Sequence, residues 1–182
     1  MSERNSEGKS VVGLDEKLRR LKAIFFDVDG VLTDGKIYLG QREDVKAYCT
    51  KDGFGILVAG AAGLEVFLVT GRSSASVTRR AGELGVKAFQ NVEDKLVCLR
   101  TVCAKAGFTL DDVAFVGDDL NDLNAMKEVG VSFAVADAAC EITTIADFTT
   151  SKNGGEGAAR EVIEMILRSQ GKWEETVREF LS

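Results

Sequence analysis

The stretch Ile24-Phe25-Phe26-Asp27-Val28-Asp29-Gly30-Val31-Leu32-Thr33-Asp34-Gly35 ends an apolar run in two carboxylates one residue apart, followed by glycine. Residues Ala23 to Phe26 are all of buried type, which reads as a strand covered on both faces, with Asp27 where that strand leaves the core. Side chains alternate along a strand, so Asp27 and Asp29 share one direction while Val28 points away. Gly30 lets the chain turn tightly behind them. Two carboxylates held together in a polar mouth repel unless a cation or a shared proton separates them. Such an arrangement is costly to keep for structure alone.

Working outward, residues 36–39 and 45–49 mix apolar and polar positions around Gly40-Gln41-Arg42-Glu43-Asp44, which reads as a β-hairpin. Ile37, Tyr38, Leu39, Val45, Ala47 and Tyr48 put apolar groups on both of its faces. A lone two-stranded ribbon is marginal in water, so this one is expected to pack against something else, another subunit among the options. Upstream, Leu14, Leu18 and Leu21 mark a short amphipathic helix. Downstream the pattern predicts helices over 56–62, 74–84, 94–106 and 121–129, and strands over 65–69, 86–89, 113–116 and 131–135. Alternating strands and helices with short connections imply an α/β fold, a parallel sheet with helices on both faces. Ligands of such sheets sit beyond the carboxyl ends of the strands. The polar clusters fall there: Asp27 and Asp29, Thr70-Gly71-Arg72, and Gly117-Asp118-Asp119.

The bulk composition narrows the chemistry. At 182 residues, with 45% hydrophobic and 29% charged residues, the chain reads as one soluble globular domain over 11–182 behind a polar tail over 1–10. That tail lacks the apolar segment of a signal peptide and reads as disordered. A net charge of -6 without a Lys/Arg cluster argues against a nucleic-acid partner. No apolar run approaches the ~20 residues that cross a bilayer, so no membrane partner is expected. Four cysteines without metal-ligand spacing point to reduced thiols and a cytoplasmic location. There is no histidine, which removes Ser-His-Asp and Cys-His catalysis, phosphohistidine chemistry and histidine-bound zinc.

Carboxylates, lysine, hydroxyls and backbone amides remain, and the strand-end clusters supply them as a phosphoryl-transfer set. Asp27 can attack phosphorus as a carboxylate nucleophile and form an aspartyl-phosphate. Asp29 is placed to protonate the leaving oxygen and then to activate water. Asp118 completes an oxygen site for Mg²⁺. The Thr70 hydroxyl, the Gly71 amide and the Lys95 ammonium can hold the phosphoryl oxygens. Each piece alone has a plainer reading: a strand-to-helix turn for Thr70-Gly71-Arg72, a solvated helix residue for Lys95, a helix cap for Asp118-Asp119. An EF-hand is excluded because its glycine and glutamate positions are held by Leu32 and Tyr38. Gly154-Gly155-Glu156-Gly157 lacks the Gly-Lys-Ser/Thr ending of a Walker loop. Together, and in this order at strand ends, the plainer readings lose their force.

These motifs resemble the haloacid dehalogenase superfamily: Asp27-Val28-Asp29-Gly30, Thr70, Lys95, and Gly117-Asp118-Asp119-Leu120-Asn121-Asp122. Over nearly the whole chain the likeness is to one branch, the 3-deoxy-D-manno-octulosonate 8-phosphate (KDO 8-phosphate) phosphatases. It is carried by Asp29 to Gly35, Lys51-Asp52-Gly53-Phe54-Gly55, Thr70-Gly71-Arg72, Val135-Ala136-Asp137-Ala138 and Gly154 to Glu161. The resemblance implies a Rossmann-like fold, a magnesium-dependent phosphatase of lipopolysaccharide precursor synthesis, and a homotetramer. Magnesium would be held by Asp27, the backbone carbonyl of Asp29 and Asp118, with Asp119 and Asp122 orienting waters or Lys95.

Spacing adds that no lid domain fits, either between Asp29 and Thr70 or between Thr70 and Lys95, so the fold is expected to be capless with an added β-hairpin. An open site selects substrate poorly unless neighbours cover it. The resemblance gives that task to the hairpin and to the segment from Lys152 onward. Arg72, Arg80 and Lys51 are the cations near the mouth. Arg72 can grip a second anionic group, such as a sugar-acid carboxylate, bidentately. Arg80, about 12 Å further along its helix, is expected at the pocket rim or at a neighbouring subunit. The substrate expected is KDO 8-phosphate, a small-molecule sugar-acid phosphate. A nine-carbon sugar-acid phosphate would use the same residues, and a catalytically idle oligomeric relative is a third reading. Retention of Asp27, Asp29, Lys95 and Asp118 speaks against the last.

Overall fold

The computed structural model describes residues 13–40 and 44–181. The tail over 1–10 and the hairpin tip at 41–43 lie outside the described residues. The chain begins with α1 (Leu14–Arg20) and β1 (Ala23–Phe26), then a hairpin of β2 (Tyr38–Leu39) and β3 (Asp44–Val45). It continues through α2 (Thr50–Ala61), β4 (Glu65–Val69), α3 (Ala75–Leu84), β5 (Lys87–Phe89) and α4 (Lys95–Ala106). The remainder is β6 (Val113–Gly117), α5 (Leu123–Glu128), β7 (Val131–Ala134), α6 (Cys140–Ile145), β8 (Phe148–Thr149), α7 (Ala158–Ser169) and α8 (Trp173–Leu181).

Six strands form one parallel sheet in the order β5-β4-β1-β6-β7-β8. β1 is central and every one of its residues is buried, as its unbroken apolar run requires. Alternate residues feed two cores. Ile24, Phe26 and Val28 pack with α2, α3 and α7 on one face. Ala23 and Phe25 pack with α4, α5 and α6 on the other, where Phe25 stacks on Phe67 with ring centres 4.8 Å apart. The register sets Phe26 beside both Leu68 and Val116, so the residues just past these positions emerge at one edge of the sheet. The Asp27 N–H still donates to Val116 O at 3.0 Å, which fixes the aspartate at the last rung.

Elements from β1 to β7 follow the expected pattern with shifted ends. Strand β1 covers Ala23–Phe26, the apolar run itself, and α2 starts at Thr50 rather than residue 56. Gly53 and Gly55 argue locally against helix by about 1 kcal/mol each, yet both lie within α2, where the Arg80 guanidinium comes up against Gly53 and Arg160 against Gly55. The four elements after β7 were not anticipated. They include α7, whose inner face (Ala159, Val162, Ile163, Ile166) is fully buried against α2 and the first core. Within the segment from Lys152 onward, α7 thus completes the core of its own subunit. The Gly154–Gly157 turn also packs on its own chain, with Gly155 N–H donating to Val31 O at 2.9 Å. Among the described residues no helix is long and apolar enough to cross a membrane.

Candidate active site

Three loops meet at the edge defined by β1, β4 and β6. Asp27 is buried and its Oδ1 lies 3.0 Å from Lys95 Nζ. Lys95 is the first residue of α4, set there by Asp94, which caps the helix by accepting the Val97 N–H at 3.1 Å. The Lys95 ammonium also binds Asp122. Asp122 in turn accepts the Asp118 N–H at 3.0 Å, so it ties the loop after β6 to the lysine. Burial would push the Lys95 ammonium down, but the charges of Asp27 and Asp122 outweigh it and raise its pKa. The lysine stays protonated across the neutral range.

Carboxylate oxygens of Asp27, Asp118 and Asp122 lie within 4.8 Å of one another. Burial, reinforced by the Asp122 charge and only partly offset by Lys95, raises Asp27 to about 6. Burial and the charges of Asp27 and Asp122 raise Asp118 to about 8. Asp118 Oδ1 is buried and takes no hydrogen bond. A carboxylate cluster with one cation short and one orphaned oxygen fits a hard divalent ion, which favours oxygen donors. Lys95 occupies one side of the cluster, leaving Asp27 and Asp118 as the pair that would hold magnesium. Gly30 is required beside them: its φ is +91°, and a Cβ would sit 1.9 Å from Asp118 Oδ2. When bound, magnesium supplies a Lewis acid for phosphoryl oxygens.

Asp29 faces a different set of groups. Its Oδ1 is bound by Lys46, whose side chain is fully buried, and Arg72 Nε lies 4.0 Å from its Oδ2. Arg72 also reaches Asp44 at 3.4 Å and is half exposed. Thr70 is buried and its Oγ1 accepts the Arg72 N–H at 3.2 Å, while Gly71 is exposed at the turn. Lys46 and Asp44 were missed by sequence reasoning. The available signal was an inverted alternation: Val45 and Ala47 point outward while the lysine between them points in.

The remaining expected residues sit further out. Arg80 pairs with Glu83 at 3.1 Å and covers the Tyr48 ring at 5.7 Å. With Lys46, Tyr48, Ser76 and Arg79 it lines a concavity of about 210 Å³ beside the mouth. Asp119 is exposed, its carboxylate accepting the Leu120 N–H at 2.8 Å as a local cap. Lys51 is exposed in the first turn of α2, and no ion pair among the described residues links it to the acid cluster.

The loop order, the buried lysine and the acid trio are those of a phosphoryl-transfer site, and the comparisons agree. The family model of haloacid dehalogenase-like hydrolases matches residues 89–162. The 3-deoxy-D-manno-octulosonate 8-phosphate phosphatase KdsC of Salmonella typhimurium is 41% identical over 161 residues, covering 87% of this chain and 86% of its own. This chain belongs to the KDO 8-phosphate phosphatase family of haloacid dehalogenase-like hydrolases. Among solved structures, the Moraxella catarrhalis family member, in complex with magnesium ion, phosphate ion and KDO, matches with a TM-score of 0.88. It is 38% identical and covers 91% of this chain and 97% of its own. The cobalt-bound Haemophilus influenzae enzyme matches with a TM-score of 0.87 and 38% identity, covering 91% of this chain and 99% of its own.

Proposed function

We propose that this chain, acting as one catalytic domain over 11–182, hydrolyses KDO 8-phosphate to KDO and phosphate with magnesium, in the cytoplasm, as a step of lipopolysaccharide precursor synthesis. The observation that carries the reading is the Asp27–Lys95–Asp122 set beside Asp118, in a chain 38% identical to a family member described with magnesium, phosphate and KDO. An Asp27 carboxylate oxygen forms a bond to phosphorus as the bond to the sugar oxygen breaks. The leaving oxygen takes its proton from Asp29. Water then attacks the aspartyl-phosphate, gives a proton to Asp29 and frees Asp27 and inorganic phosphate. Lys95, Thr70 and the Gly71 amide hold the phosphoryl oxygens while charge redistributes. Asp122 keeps the lysine aimed, and Asp119 supports the loop that carries Asp118.

Arg72 takes the substrate carboxylate, and Arg80 and Lys51 serve the rim of the substrate site. The working unit is a homotetramer, since the hairpin exposes Tyr38, Leu39 and Val45 and the mouth has no lid. The test is kinetic, on a panel of sugar-acid phosphates assayed with magnesium. The eight-carbon substrate is expected to give the highest kcat/KM. A higher value for a nine-carbon acid phosphate would reassign the substrate, and no turnover of any member would overturn the enzyme reading.

A further inference from the structure

The hairpin sends one buried cation into the mouth, and its partner is only half used. Lys46 follows β3 directly, and its fully buried side chain pairs with Asp29 Oδ1. Asp29 Oδ2 is buried as well but takes no hydrogen bond, with Arg72 Nε 4.0 Å away. A buried carboxylate oxygen left without a partner costs free energy until a partner arrives. The two oxygens of one carboxyl group are thus made unequal, one anchored and one open. Burying a lysine on the inner side of a two-stranded ribbon is itself costly, and an apolar residue would fill that space more cheaply.

We infer that Lys46 is a positioning residue for the reaction. By holding Oδ1 it turns the Asp29 carboxyl so that Oδ2 is the oxygen that meets the substrate. The inference rests on the phosphatase reading given above. In the first step the phosphorus–oxygen bond to the alcohol breaks as the bond to Asp27 forms. The electron pair goes to the alcohol oxygen, which takes the proton carried on Asp29 Oδ2. In the second step the Oδ2 carboxylate takes a proton from the attacking water, so Asp29 ends as it began. Proton transfer needs hydrogen-bond reach, and a misplacement of about 1 Å can cost roughly 100-fold. The hairpin therefore contributes to the chemistry of its own subunit through Lys46, while its exposed Leu39 and Val45 remain available for contacts between subunits.

The test compares kcat/KM, with magnesium present, for p-nitrophenyl phosphate and for a simple alkyl phosphate, neither bearing a carboxylate. This parameter covers the steps up to departure of the leaving group. A nitrophenolate departs without a proton, whereas an alkoxide needs one. Lys46→Met should lower kcat/KM by about 10- to 100-fold on the alkyl phosphate and by no more than about threefold on the nitrophenyl ester. Asp29→Asn should show the same preference more steeply. Lys46→Gln, which keeps a donor but is shorter and uncharged, serves as the second variant should the methionine variant fail to fold, with the same preference expected at a smaller size. Equal losses on both esters at position 46, with a leaving-group-dependent loss in Asp29→Asn, would overturn the positioning role alone. Equal losses in Asp29→Asn itself would overturn the acid assignment beneath it.

Discussion

Lys95 stands at the first position of α4, where the helix dipole disfavours a cation, yet it is buried. Two carboxylates from different loops resolve the conflict, which only the fold reveals, since by itself Lys95 reads as a solvated helix residue. Asp27 and Asp29 are legible in the sequence, because carboxylates at the end of an apolar strand have no structural excuse. Lys46 is not legible, because a lysine between valine and alanine in a polar hairpin has an ordinary reading as a solvated side chain. Its partner lies 17 positions away and is met only after folding. Arg72 occupies a middle ground. Its place after the Thr70 turn suggested a substrate contact, and in the free site it stands between Asp29 and Asp44 with half its surface open. A substrate carboxylate would compete with Asp44 for it. Arg72→Ala should cost roughly 2–4 kcal/mol in kcat/KM for KDO 8-phosphate, about 30- to 900-fold, by removing a charge-assisted contact. The loss on an aryl phosphate without a carboxylate should be much smaller. Equal losses on both would move Arg72 into the phosphate site.

At the scale of elements, β1, β4 and β6 were readable because parallel strands buried on both faces show as continuous apolar runs. The elements after β7 were not. Strand β8 has two residues and α6 has six, too few for a period to declare itself. Helix α7 carries an apolar stripe through Ala159, Val162, Ile163 and Ile166, whose packing on α2 is met only in the fold. The hairpin was readable as an element, and its two roles are interleaved along it. Lys46 is buried and Asp44 meets Arg72, whereas Val45 between them is 58% exposed and Leu39, paired with Asp44, is 82% exposed. Such a patch on an isolated ribbon needs a partner. Leu39→Asp should leave the fold intact, because the side chain is 82% exposed, and should dissociate the proposed tetramer. Burying a leucine is worth roughly 1.5–3 kcal/mol per copy, so placing a charge there weakens every contact that uses the tip. Light scattering at micromolar concentration checks it. A variant that keeps the wild-type mass would place the subunit contact elsewhere.

For the whole molecule, the acid cluster links metal, protons and stability. In the metal-free protein Asp27 and Asp118 are raised from 3.8 to about 6 and about 8, first by burial and then by their neighbours' charges. Between the unfolded and folded values the native state binds more protons than the unfolded chain. Unfolding free energy then falls as pH rises, with the stabilising contribution complete below about 4 and lost through about 6 for Asp27 and about 8 for Asp118. Above that window the metal-free cluster holds mutually repelling carboxylates in a buried place. Magnesium reverses the sign, because it binds the deprotonated form and stabilises only the folded state. The gain in Tm on adding excess magnesium to chelator-treated protein should therefore be small near pH 5 and grow steadily to pH 8. Asp118→Asn removes the most strongly raised carboxyl. It should flatten the metal-free slope and abolish most of the magnesium gain, while raising the metal-free Tm at pH 8. A magnesium gain that stays constant with pH, or shrinks toward pH 8, would show that these carboxylates do not form the metal site.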